Sequence, residues 1–242
     1  MPCPASPVVI SRGAQDVVRT YVRTMLDAID YMHERNCVHR DLKPENVLLS
    51  DRSEAAVIKI VDLGLSRFVD ERKLMRTICG THKYLAPEMV QTDCGQLQGY
   101  DKAIDMWGVG LLTFIMLVGF NPFARGSQQE TRVAILQAEW EFPDGYTVSD
   151  AAKSFVQSVL HGRVDDRLSA KQAMLHPWFV SPPSSPMQLL TSHREPVKQK
   201  IAEFNAQRML DKVVKSAHRR LGGVGSSSTG SASAPGAAEG PP

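Results

Sequence analysis

The chain has 242 residues, 43% hydrophobic and 22% charged, with a formal net charge of +2. That composition excludes a disordered, collagenous or disulfide-scaffold protein and leaves room for one domain of about 150–200 residues with a tail. The longest apolar run, 12 residues from Val109 to Phe120, is shorter than the ~20 needed to cross a bilayer, so no transmembrane segment is expected.

Met1 to Pro7 is proline-rich and carries no basic residue, which fails as a secretory signal and predicts an intracellular protein, cytoplasmic or nuclear. The first periodic element follows. Apolar residues from Val17 to Met32, with His33, recur at spacings of three and four, predicting an amphipathic helix over Gln15 to Arg35 that ends at Asn36. Val47–Leu49 and Val57–Val61, separated by the polar Ser50–Glu54, predict a hairpin. Ala103–Val118 is apolar nearly all round, as a helix through the middle of a core is. Further helices are expected at Thr131–Gln137, Asp150–Leu160 and Ser169–Leu175.

Three prolines in Ser181–Pro186 break any helix arriving from His176-Pro-Trp-Phe179, so the folded part stops near residue 185. Residues 1–193 hold 20 Lys and Arg against 22 Asp and Glu, whereas residues 194–220 hold 8 against 3. The basic surplus belongs to that segment alone. From Leu221 the chain is Gly, Ser and Ala-rich and too poor in apolar residues to order itself. Cys3, Cys37, Cys79 and Cys94 have no paired spacing and no histidine partners, so they are read as reduced thiols rather than a metal site or disulfide framework.

The chemistry concentrates in His39-Arg40-Asp41-Leu42-Lys43-Pro44-Glu45-Asn46, followed by Asp62-Leu63-Gly64 and Ala86-Pro87-Glu88. A phosphoryl-transfer site needs carboxylate and amide oxygens to hold Mg²⁺ on phosphates, and one carboxylate facing the acceptor hydroxyl. Asp41, on a loop after a long helix, suits the second role, and Lys43 is placed to stabilise charge on the transferred group. Asn46 and Asp62 suit the metal, because the hairpin between them folds Asp62 back toward Asn46.

These motifs, in this order, resemble the eukaryotic serine/threonine protein kinases over about Gln15 to Val180. Asp105-Met-Trp-Gly-Val-Gly110 and His176-Pro-Trp-Phe179 extend the resemblance. Leu74–Thr81 and Gly119-Phe-Asn-Pro-Phe123 are similar to the calcium/calmodulin-dependent and checkpoint-kinase branch. The resemblance implies a mainly α fold, a protein-kinase-like C-terminal lobe with short β-hairpins. It implies Asp41 and Lys43 as catalytic, Glu45, Asn46 and Asp62 on the ATP side, and Asn46 and Asp62 as Mg²⁺ ligands. It further implies that Arg40 pairs with a phosphorylated Thr77 in the activation segment and that Thr81 touches the catalytic loop. Glu88 and Arg167 are implied as a buried ion pair, and Asp105 as acceptor for the backbone at His39 and Arg40. His39 itself is read as a packed core histidine. Leu63 stands where the family usually has phenylalanine, and His82-Lys83 is an unusual pair after Gly80-Thr81.

The resemblance lacks its first half. No Gly-x-Gly-x-x-Gly occurs, and residues 1–42 contain no lysine to grip phosphate. The expectation is therefore a C-lobe with the N-lobe absent, with apolar surface uncovered near Val38 and Leu48. The organisation expected is an N-terminal remnant (1–14), the lobe (15–180), a Pro-rich linker (181–200), a basic amphipathic helix (201–220) and a disordered tail (221–242). Two functions fit: part of an active kinase acting on protein Ser/Thr hydroxyls with ATP and Mg²⁺, or a non-catalytic kinase-like scaffold. In the 201–220 segment Met209, Val213 and Ala217 gather opposite Arg208, Lys212 and Arg219. Such a helix packs back on the lobe, binds calmodulin as in calmodulin-regulated kinases, or lies on a membrane surface. No nucleic-acid partner is expected.

Overall fold

A computed structural model describes residues 10–50, 56–68, 75 and 82–180. Helix α1, Arg12–Glu34, starts three residues before the predicted point because Ser11 caps it, its hydroxyl accepting from the Ala14 amide at 3.1 Å. Asn36, just past the helix end, takes a left-handed φ of 53°, a conformation asparagine tolerates better than most residues. One face of α1 is buried from Val17 to Ile29. It packs on α3, Ala103–Val118, whose residues from Ile104 onward are all buried. Gly119 closes α3 at φ 100°, a backbone geometry that favours glycine. Helix α5, Asp150–Val159, packs on α3 as well, and Trp107 stacks on Phe123 with ring centroids 5.1 Å apart. The mainly α reading of the sequence therefore matches the described residues.

The remaining elements are short. Strands β1, Cys37–Val38, and β4, Arg67–Phe68, pair antiparallel, as do β2, Val47–Leu49, and β3, Ile58–Ile60, with Val47 opposite Ile60. The second pair is the expected hairpin. Helix α2, Pro87–Asp93, was not among the predicted elements, although Pro at its first turn and Glu88 beside it are start signals. Helix α4, Gln128–Gln137, begins three residues before the predicted start because Ser127 and Glu130 form a capping box. The predicted Ser169–Leu175 helix reduces to α6, Ala170–Ala173, before α7, Pro177–Val180.

Val38, expected to be uncovered, is fully buried, because β1 lies between α1 and β4. Leu48, as expected, faces solvent, and so do Val57, Leu63, Leu65 and Phe68 among other exposed apolar side chains of the described residues. Among the described residues Cys37 and Cys94 are free, and burial, helped by the Asp105 charge, raises the Cys37 thiol above its ordinary value. No described helix is long and apolar enough to cross a membrane. Residues 1–9, the linker, the basic segment and the tail lie outside the described residues.

Gly108 sits on α3 where a methyl group would come within 2.6 Å of Leu42 Cβ. Gly108→Ala is expected to cost about 1–3 kcal/mol through overpacking and to push the Leu42 loop outward. Urea denaturation reads the first effect.

Candidate active site

The loop after β1 is fixed by one buried carboxylate. Asp105, in the first turn of α3, accepts from the His39 amide through Oδ2 and from the Arg40 amide through Oδ1, both at 2.9 Å. Its Oδ2 also lies 2.9 Å from His33 Nε2 on α1. These bonds hold Arg40 in a left-handed backbone conformation, φ 72°, that a bulky side chain rarely adopts. His39 is wholly buried, its Nδ1 accepting from the Asp41 amide at 3.3 Å. Nε2 therefore carries the proton and donates to the Val61 carbonyl, 3.3 Å away at the end of the hairpin.

Asp41, Lys43 and Asn46 are brought together and are each less than 10% exposed. Lys43 Nζ forms an ion pair with Asp41 Oδ2. The Asn46 amide nitrogen donates to the Asp41 carbonyl at 2.7 Å and to Asp41 Oδ2 at 2.9 Å. With the nitrogen committed to Asp41, the Asn46 side-chain oxygen is the atom left to accept. Glu45 lies half-buried on the same turn, Pro44–Asn46.

The β2–β3 hairpin returns the chain to this loop, where the Val61 amide donates to the Asn46 carbonyl at 2.8 Å. Asp62 follows at once, exposed, at a left-handed φ of 66°, with Oδ1 accepting from the Gly64 amide at 3.3 Å. A carboxylate and an amide oxygen at one end of a hairpin suit a hard cation. Among the described residues no group of three His, Cys, Asp or Glu side chains gathers to hold a metal. A cation held by Asn46 and Asp62 would need further ligands from outside the described side chains, and Mg²⁺ commonly takes them from phosphate oxygens and water.

Glu88 and Arg167 meet in the interior. Arg167 Nη1 and Nη2 donate to the two Glu88 oxygens at 2.7 and 3.2 Å. The remaining donors go to the carbonyls of Ala103 and His161, and the guanidinium lies over Trp107. All five N–H groups are used. Arg40 Nη2 donates to the Tyr100 hydroxyl at 2.9 Å, and the Tyr100 backbone pairs with Met75. Thr77 and Thr81, assigned to the activation segment from the sequence, lie outside the described residues.

Three participants escaped sequence reasoning. His33 reads as one more member of an apolar helix face, yet it binds Asp105. Tyr100 belongs to no motif, and Asn121 was read only as part of Gly119-Phe-Asn-Pro-Phe123 with no role of its own; Asn121, buried, donates from Nδ2 to the Lys83 carbonyl at 2.8 Å. No local signal marks the three, because their partners are 72, 60 and 38 residues away.

Residues 10–179 match the family model described as protein kinase domain. Calcium/calmodulin-dependent protein kinase type IV of Mus musculus is 40% identical over 217 residues, 87% of this chain and 44% of its own length. Myosin light chain kinase A of Dictyostelium discoideum is 41% identical over 162 residues, 66% of this chain and 53% of its own. Calcium/calmodulin-dependent protein kinase cmkB of Emericella nidulans is 38% identical over 198 residues, covering 80% and 48%. The chain thus spans about half the length of these relatives.

Proposed function

The chain belongs to the protein kinase domain family, and from that premise we propose that it carries the catalytic-loop half of a serine/threonine protein kinase, acting inside the cell. The observation that carries the reading is the Asp41–Lys43–Asn46 cluster set beside Asp62 at the end of the hairpin. Asp41 receives the proton of a Ser or Thr hydroxyl, with Lys43 and Asn46 fixing its carboxylate. Lys43 faces the developing charge. Asn46 and Asp62 would hold Mg²⁺, which together with ATP supplies the transferable phosphoryl group and neutralises its charge. Arg40 answers a phosphate on Thr77, exchanging its Tyr100 partner for a doubly charged one.

Grip on the phosphates is a separate matter. Residues 1–42 contain no lysine, so the reading assigns no phosphate-gripping lysine ahead of the Asp41 loop within these 242 residues. The reading is tested by joining the N-lobe of a calmodulin-dependent relative ahead of Ile10. The joined protein is expected to phosphorylate a Ser/Thr peptide, and a folded but silent chimera overturns the assignment.

We further propose that residues 201–220 bind calmodulin, a reading favoured by their basic amphipathic pattern and by relatives whose names include calmodulin. A synthetic 198–221 peptide is expected to bind calmodulin at micromolar concentration when calcium is present. Binding that ignores calcium, or none at all, contradicts it.

A further inference from the structure

An open cavity of about 710 Å³ lies where the end of α4, the segment after it and α5 meet, and it shares no lining residue with the site around Asp41. Its walls are fixed. Trp140 Nε1 donates to the Leu160 carbonyl at 3.1 Å, and the indole meets Phe142 edge to face with ring centroids 5.7 Å apart. Gly162 lies so close to the end of α4 that a methyl group on it would come within 2.9 Å of the Ala138 Cβ. The loop after α5 is thereby held against α4. Trp140, Phe142 and Leu136 line the cavity and are each half-buried, so apolar surface remains open to an occupant. The volume falls within the ~300–1,000 Å³ usual for small-molecule sites.

Several polar groups on the lining are uncommitted. Lys153 and Gln157 stand four residues apart on α5, a spacing that puts both on one face of the helix. Lys153 is half-buried and has no carboxylate within ion-pair distance among the described residues. The side-chain amides of Gln91 on α2, Gln137 and Gln157 make no hydrogen bond among the described residues. The other basic groups are engaged: Arg163 pairs with Asp166 at 3.1 Å, and His161 Nδ1 accepts from the Arg163 amide at 3.2 Å. Glu141, the one carboxylate on the lining, is exposed, where water screens its charge. Apolar walls with a few convergent polar groups are the pattern of a ligand site, and a half-buried ammonium beside neutral amides favours an anion.

We propose that this cavity binds a small aromatic carboxylate, its ring against Trp140 and Phe142 and its carboxylate on the Lys153 ammonium, with the Gln157 amide donating beside it. The walls hold the ring. The ammonium sets the preference for the acid over an amide of the same shape, because a bond between two charged groups is the stronger one. The occupant touches α2 through Gln91, α4 through Leu136 and α5 through Lys153, so it stabilises the packing of all three.

The test is calorimetric titration of the full 242-residue chain with naphthaleneacetate, its neutral amide naphthaleneacetamide and the cation naphthalenemethylamine. The acid is expected to bind about three- to tenfold tighter than the amide, with the amine weakest. Lys153→Gln is expected to level acid and amide. Gln157→Trp, at an exposed position, is expected to fill the cavity and abolish binding of both while the melting temperature holds. Gln137→Trp at the end of α4 repeats the occlusion should the first variant fail to fold. Equal binding of acid and amide, tighter binding of the amine, an acid preference that survives Lys153→Gln, binding that persists in a folded occluded variant, or no binding at all overturns the proposal.

Discussion

Asparagine in place of Asp41 is expected to lower peptide phosphorylation by the joined protein about 10²–10⁴-fold, the range that general-base catalysis supplies. The substitution keeps the shape of the side chain and leaves an oxygen for the Asn46 amide that now donates to Oδ2 at 2.9 Å. It removes the basic carboxylate and with it the charge that Lys43 faces. The loss is accordingly expected in kcat, with the KM for peptide little changed. A change confined to KM would mean that Asp41 binds substrate rather than receiving its proton. The melting temperature controls for folding, because desolvated Lys43 is left without its partner, and a shift of a few degrees is compatible with an intact loop.

Arg167→Ala is expected to cost about 3–5 kcal/mol, the usual result of breaking a buried ion pair from one side. The effect is large because the guanidinium satisfies Glu88 and two carbonyls at once, tying α2, the start of α3 and the segment after α5. Removing it strands the Glu88 carboxylate, which is only 3% exposed. Denaturant titration of the 242-residue chain measures the loss. The diagnostic comparison is the double replacement Glu88→Met with Arg167→Met, which removes both charges and is expected to recover a good part of the stability. A double variant as unstable as the sum of the two singles would show that the pairing of the charges is not what holds these segments.

What the sequence disclosed depended on the range of the interactions. Helix α3 was legible with its bounds because its residues are apolar on every face, and the β2–β3 hairpin because its strands and polar turn are contiguous. Asp41, Lys43 and Asn46 fall within six residues, so their convergence follows from one loop. The meeting of Glu88 with Arg167 and the support of His39 and Arg40 by Asp105 were anticipated only through resemblance, since each joins residues more than 60 apart. The β1–β4 pair was not legible at all. Two residues on each side carry no periodicity, and the pairing exists because α1 and the hairpin deliver Cys37 and Phe68 to the same place. The burial of His33 was legible but its partner was not, for a related reason: position on a helix face reports burial, and the polar partner was invisible until α3 supplied Asp105.

The central claim is that this chain holds the proton-accepting and metal-side residues of a kinase but not the grip on the phosphates. It is tested most directly by measuring Mg²⁺-dependent peptide phosphorylation by the purified 242-residue chain and by the same chain joined to an N-lobe, each beside its Asp41→Asn and Asp62→Asn variants. The expected result is negligible turnover from the chain alone and clear turnover from the joined protein that both substitutions abolish. Turnover from the chain alone that disappears in both variants would contradict the claim, because the site would then be complete without an added lobe.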